Sequence, residues 1–112
     1  MPKKATHTYS RITGHAVALL GKLIKIARKE RKMTAKDLAD RAGISRGLLQ
    51  RIEKGNLKCQ VGVVFEVATL VGIKLFDADE SSLTARIRQA DDKIALLPKH
   101  IHSTKKVITD DF

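Results

Sequence analysis

Four residues punctuate two short apolar periods and restrict this chain more than any other feature: Thr34, Gly43, Ser45 and Gly55. Between Thr34 and Gly43 the apolar positions are Leu38, Ala39 and Ala42, and between Ser45 and Gly55 they are Leu48, Leu49 and Ile52. Both sets fit one face of a helix. Thr34-Ala35-Lys36-Asp37 is a capping-box variant: the threonine hydroxyl can accept from the backbone near Asp37, whose carboxylate suits the positive end of the dipole. Gly43 can end the helix in the left-handed region, where a Cβ is penalised. Ser45 caps a further helix and Gly55 closes it. The spacing predicts two short helices joined by a three- or four-residue turn containing glycine.

The flanking sequence predicts three more helices. Residues 1–12 are polar and basic and read as a flexible arm. From Thr13, the expected N-cap, Val17, Leu20, Ile24 and Ala27 recur at helical spacing, with Leu23 widening the stripe, and the helix is expected to stop near Lys32. Val61, Val64, Phe65, Ala68 and Val71, joined by Val67 and Leu70, make a helix apolar over most of its surface. It is expected to form the central post of the core, with Gly72 as its stop. Ile73-Lys74-Leu75-Phe76-Asp77 alternates in part and is expected as a short strand, within a segment 73–79 that lacks a partner strand in the chain. Pairing of Ile73, Leu75 and Phe76 with a second copy would make a two-fold dimer. Leu83, Ile87, Ala90, Ile94 and Leu97 then repeat at four and three, which predicts an amphipathic helix over 80–98 ended by Pro98. Residues 99–112 read as a flexible tail. The expected fold class is all-α: five helices, with 13–72 as the principal domain and one short C-terminal strand. A compact part running from Thr13 to Asp79 is near the size where folding buries only ~60% of the chain's surface, a second reason to expect a dimer.

Charge narrows the partner. The 112 residues hold 22 Lys and Arg against 12 Asp and Glu, a formal net charge of +10. Residues 1–32 alone carry nine basic residues and one acid, Glu30, whereas residues 59–79 are net negative. A front-loaded excess of this size favours a polyanion, although Lys22, Lys25, Lys29 and Lys32 could equally well only solvate a helix face. Aromatic residues are 4% of the chain, too few for a base-stacking platform. A single cysteine, Cys59, rules out an internal disulfide framework and reads as a small packing residue. His100 and His102 have no obvious third ligand. No metal, cofactor or catalytic set is expected, nor a membrane span or secretory leader, so the expected location is cytoplasmic.

The stretch Leu38-Ala39-Asp40-Arg41-Ala42-Gly43-Ile44-Ser45-Arg46-Gly47-Leu48-Leu49-Gln50-Arg51-Ile52-Glu53-Lys54-Gly55 closely resembles the DNA-binding core of Xre/Cro family repressors, a lambda-repressor-like helix-turn-helix. The resemblance implies that Ala39 lets the two helices approach, that Gly43 makes the turn, and that Ile44, Leu49 and Ile52 pin the recognition helix. It also implies an ion pair between Arg28 and Glu53. Many members carry Gln where this sequence has Ala35, and that Gln braces the recognition helix against a phosphate, so half-site docking should differ here.

A major groove about 12 Å wide admits one α-helix, and the base edges there carry a distinguishable donor and acceptor code. In this motif the first residues of the second helix reach the bases. That puts Arg46 and Gly47 at the bases, with Gln50 and Arg51 one turn on. The Arg46 fork matches guanine O6 and N7, Gly47 allows close approach, and Arg51 either reads a base or holds a phosphate. Phosphate contacts are expected from the helix start at Thr34 and Ala35 and from Lys54, Asn56 and Lys58.

Outside the motif, residues 61–77 look like HipB-type antitoxins, in which the fourth helix leads into a strand paired across the dimer. Ala95-Leu96-Leu97-Pro98-Lys99 and the ending Asp110-Asp111-Phe112 are similar to the tail of such regulators. That resemblance implies an autorepressor partnered by a HipA-type serine/threonine kinase toxin, with Asp110, Asp111 and Phe112 docking on a partner. The alternatives are a solitary or phage-type regulator without a toxin, and a protein-binding adaptor using the last helix and tail. None of these makes the chain itself an enzyme.

Overall fold

In the computed structural model, which describes residues 8–77 and 79–101, helix α1 spans Arg11–Glu30 and starts earlier than expected. Ser10, not Thr13, is the N-cap: its Oγ accepts the Thr13 N–H at 3.3 Å and its hydroxyl donates to Thr13 Oγ1 at 2.9 Å. Thr13 therefore sits at the third helical position, where its own N–H needs the cap. The helix ends two residues before Lys32, which adopts a positive φ of 58°.

Helices α2 (Ala35–Ala42), α3 (Arg46–Glu53) and α4 (Val61–Leu70) complete the first of two compact units, residues 1–77 and 78–112. Its core is Ile24 from α1, Leu38 and Ala39 from α2, Leu49 and Ile52 from α3, and Val67, Ala68 and Val71 from α4 and its cap. Met33, Ile44, Leu48 and Cys59 pack around that cluster half-buried.

The expectation of a central α4 needs correction. Within the helix only Val67 and Ala68 are buried, Val63, Val64 and Phe65 are half-buried, and Val61 is 68% exposed. With α2 and the following turn as its main neighbours, α4 is one wall of the core. Uniform apolarity along the helix therefore does not report which face is inside.

The expected strand over 73–79 is also corrected. Gly72, at φ 86°, turns the chain out of α4, and the Ile73 N–H returns to the Ala68 carbonyl at 2.9 Å. Leu75–Asp77 then forms a single 3-10 turn in which Phe76 has φ 59°. A strand needs extended backbone at every residue, so a left-handed Phe76 is incompatible with one. Ile73 and Leu75 pack against the core while Phe76 is exposed, so these three residues offer no ladder. Among the described residues there is no strand.

The second unit contains α5, Glu80–Leu96. Asp79 caps it, accepting the Ser82 N–H at 2.9 Å and the Ser81 hydroxyl at 3.1 Å. Leu97 is extended, as a residue before proline tends to be. No α5 residue is buried. No described helix is long and apolar enough to cross a membrane. Residues 1–7 of the arm and 102–112 of the tail, including His102, Asp110, Asp111 and Phe112, lie outside the described residues.

Candidate nucleic-acid interface

The pair α2 and α3 is set by its caps. At the start of α2, Thr34 and Asp37 form a reciprocal capping box: the Asp37 N–H donates to Thr34 Oγ1 at 3.0 Å and the Thr34 N–H donates to Asp37 Oδ2 at 3.0 Å. That backbone hydrogen bond from Thr34 is the main reason the Asp37 carboxyl is held below its ordinary range. Gly43 ends α2 at φ 69°, and the Ile44 N–H reaches back to the Ala39 carbonyl at 3.0 Å. Two residues later, Ser45 Oγ accepts the Leu48 N–H at 3.0 Å and starts α3.

Helix α3 is divided lengthwise. Leu49, Ile52 and Glu53 are buried, while Arg46, Gly47, Gln50 and Arg51 are exposed together. The inner side is clamped onto α1 by close backbone approach. A Cβ on Gly21 would lie 2.5 Å from the Ile52 carbonyl oxygen and 2.7 Å from that of Glu53. Gly55, at φ 81°, lies so close that a Cβ would be 2.8 Å from Ala18 Cα.

The Arg28–Glu53 pair adds a second clamp. Arg28 Nε donates to Glu53 Oε2 at 2.8 Å and Nη2 to Oε1 at 3.0 Å, while Nη1 donates to the Met33 carbonyl at 3.0 Å. Both residues are at most 9% exposed. The hydrogen bonds with Glu53 push the Arg28 pKa further up, against the opposing effect of burial. A two-pronged, charge-assisted bond of this kind fixes angle as well as distance. It ties α1 to the end of α3 and, through Met33, to the chain entering α2.

Two grooves flank α3. One, of about 380 Å³, is lined by Leu48, Arg51, Asn56, Lys58, Cys59, Gln60 and Val63. The other, of about 270 Å³, is lined by Lys25, Arg28, Ala35, Gln50, Glu53 and Lys54. The structure thus brings Arg51, Asn56 and Lys58 to one side of α3, and Ala35, Gln50 and Lys54 to the other. Lys25 was not singled out as a site residue in the sequence. The signal was present, because Lys25 lies three residues before Arg28 on the same helix and so shares its face.

Two expected phosphate contacts change in detail. The Thr34 N–H is engaged by Asp37, so the first-turn donors beyond reach of an intrahelical carbonyl are those of Ala35 and Lys36. Asn56 uses its Oδ1 to accept the Lys58 N–H at 2.7 Å, which leaves its amide NH₂ as the outward donor.

Residues 24–76 match the family model described as helix-turn-helix. The match begins within α1, ends on the 3-10 turn, and contains both Arg28 and Glu53. It supports the Xre/lambda-repressor-like class, whose domain serves sequence-specific DNA-binding regulators. No curated protein and no solved structure gave a significant match.

Proposed function

We propose that this chain is a homodimeric transcriptional repressor that lays α3 in the major groove of double-stranded operator DNA. The observation that carries this reading is the lengthwise division of α3, with Arg46, Gly47, Gln50 and Arg51 outward and the opposite side locked to α1 through Gly21, Gly55 and the Arg28–Glu53 pair. Base reading needs a side chain held to a fraction of an ångström by a rigid element.

In this account Arg46 makes the leading base contact, bidentate to a guanine. Gln50 and Arg51 reach the next positions, and Gly47 lets the backbone approach. The two flanking grooves receive the phosphates: Lys58, the Asn56 amide and the outer part of Arg51 on one side, and Lys25, Lys54 and the Ala35 N–H on the other. Ala35 leaves room where a long side chain would otherwise reach the backbone, and Lys25 supplies a cation from α1 instead. Symmetric binding would place two recognition helices about 34 Å apart, one turn of duplex.

The narrower role is that of a HipB-type antitoxin and autorepressor that also restrains a HipA-type kinase. It rests on the sequence resemblance of residues 61–77 and of the tail. The kinase would perform the catalysis, and Asp110, Asp111 and Phe112 would dock on it. A kinase encoded beside this chain should co-purify with it and be released by deleting residues 110–112. Co-purification unaffected by that deletion removes the docking role, and absence of a neighbouring kinase leaves a solitary repressor. For the repressor itself the test is binding to its own upstream DNA across a salt series. Affinity should fall steeply with salt and favour that DNA over unrelated duplex. Salt-insensitive binding without preference would contradict it.

A further inference from the structure

We propose that Gly47 is a specificity-determining residue, whose missing side chain leaves a notch in the outward side of α3 for the methyl group of a thymine. This rests on the repressor reading and adds a second base to it. Glycine inside a helix costs stability relative to alanine, because it loses more backbone freedom on folding. Elsewhere in the first unit the fold itself explains a glycine: a Cβ on Gly21 would strike two backbone carbonyls, and Gly43, Gly55 and Gly72 have positive φ. Gly47 has neither reason. Its φ is not positive, and a Cβ there would meet only Ser45 Oγ, at 3.9 Å. Folding therefore does not exclude a side chain at this position. Gly14 and Gly62 are as open, with nothing within 4 Å of a Cβ, but they belong to α1 and α4. Openness alone does not mark Gly47; its place does.

At about 3.6 residues per turn, the outward side of α3 runs Arg46, Gln50, Gly47, Arg51 around the helix, opposite the buried Leu49, Ile52 and Glu53. Three long polar side chains thus border one position that has none. With α3 seated in the major groove, the base edge opposite Gly47 meets its Cα and no side-chain donor or acceptor. The Gly47 N–H runs along the helix axis, not outward. The groove floor offers ring and carbonyl acceptors, amino donors and the thymine methyl. An acceptor or an amino group pressed against the notch would lose its water without gaining a partner, which costs free energy. The methyl gives up no hydrogen bond and gains apolar burial. The notch therefore selects thymine, in addition to the guanine assigned to Arg46. An alanine at this position would fill the space that the methyl needs.

The test uses the full chain and its preferred upstream DNA, in which each thymine is replaced in turn by deoxyuridine, which lacks only the methyl. For the wild type, one such replacement per half-site should weaken binding about fourfold, the worth of one buried methyl group. Gly47→Ala should bind the thymine DNA about tenfold more weakly. It should recover most of that loss when the same position carries deoxyuridine. It should also raise the melting temperature by a few degrees. Gly14→Ala should raise it as well and leave DNA affinity unchanged. Gly47→Ala that binds the thymine DNA as tightly as the wild type would show that nothing fills the notch. A loss that no deoxyuridine restores would show that something other than a methyl does. Either result overturns the proposal, as would a wild type indifferent to every replacement. A lowered melting temperature of Gly47→Ala would show that folding requires the glycine, and would contradict the premise. A wild type without preference for its upstream DNA removes the repressor reading and the notch together; a wild type that keeps its preference while Gly47→Ala changes nothing loses the notch alone.

Discussion

Residues 8–77 and the helix α5 are built from the same kinds of residue in opposite ways. The first unit hides Ile24, Leu38, Leu49, Val67 and Val71 almost completely and locks α1 to α3 with a buried ion pair. Helix α5 is longer than α2, α3 or α4 and is well capped, but none of its residues is buried and only Leu83 among its apolar ones is half-buried. Capping and periodicity suffice to define a helix, but burial decides whether the chain itself specifies where the helix goes. The first unit has its geometry built in and can present α3 at a fixed angle. On helix α5, Ile87 and Ile94 are 62% and 64% exposed.

The sharpest way to break this contrast is to attack the clamp. Arg28→Met leaves the Glu53 carboxylate buried without its fork and should destabilise the first unit by about 3–5 kcal/mol, while Arg28→Met with Glu53→Leu should recover most of that loss. Denaturant unfolding followed by circular dichroism reads both, and equal stability of single and double variants would show that the pair does not set the geometry. Next comes Gly21→Ala, which drives a Cβ into two backbone carbonyls that cannot swing aside. A loss of about 1–3 kcal/mol follows from overpacking, with weaker DNA binding because α3 is displaced. Gly43→Ala is milder. Its Cβ would meet nothing within 4 Å, so only the left-handed backbone is penalised, by about 1–2 kcal/mol. If Gly43→Ala proved costlier than Gly21→Ala, close approach of α1 and α3 would not be the main constraint.

The smallest effect is at the α2 cap. Asp37 has a lowered pKa in the folded chain because it accepts the Thr34 N–H. Its contribution is therefore present above the unfolded carboxylate value and is lost as pH falls through the lower folded value. The melting temperatures of the wild type and Asp37→Asn should differ near neutrality and converge in acid. A gap that widened in acid would have the wrong sign.

The parts of the fold that the sequence made legible are those encoded locally. The Thr34, Gly43 and Ser45 positions act through backbone groups a few residues away, and each lies where its hydrogen bonds or its positive φ require. Ser10 and Thr13 are both capping residues and Thr13 stands nearer the first apolar position; the Thr13 N–H bond to Ser10 Oγ distinguishes them. At residues 73–77 periodicity points to the wrong element, because partial alternation of Ile73, Leu75 and their neighbours is shared by a strand and by a turn whose apolar side chains fold back onto a core. The positive φ of Phe76 leaves no trace in composition. Lys25 illustrates a similar gap at the candidate site. Its place beside Gln50 and Lys54 depends on how closely α1 approaches α3, which Gly21 controls from a position that reads as an ordinary helix interior.

The measurement that bears most directly on the central claim compares wild type and Arg46→Ala on the chain's own upstream DNA and on duplexes altered one base pair at a time, at several salt concentrations. If α3 reads bases through Arg46, the substitution should cost roughly 1–3 kcal/mol on the preferred sequence, flatten discrimination at one guanine per half-site, and leave the salt slope nearly unchanged. An equal loss on every sequence, with a shallower salt slope, would make Arg46 a phosphate contact and contradict the assignment of α3 as the reading helix.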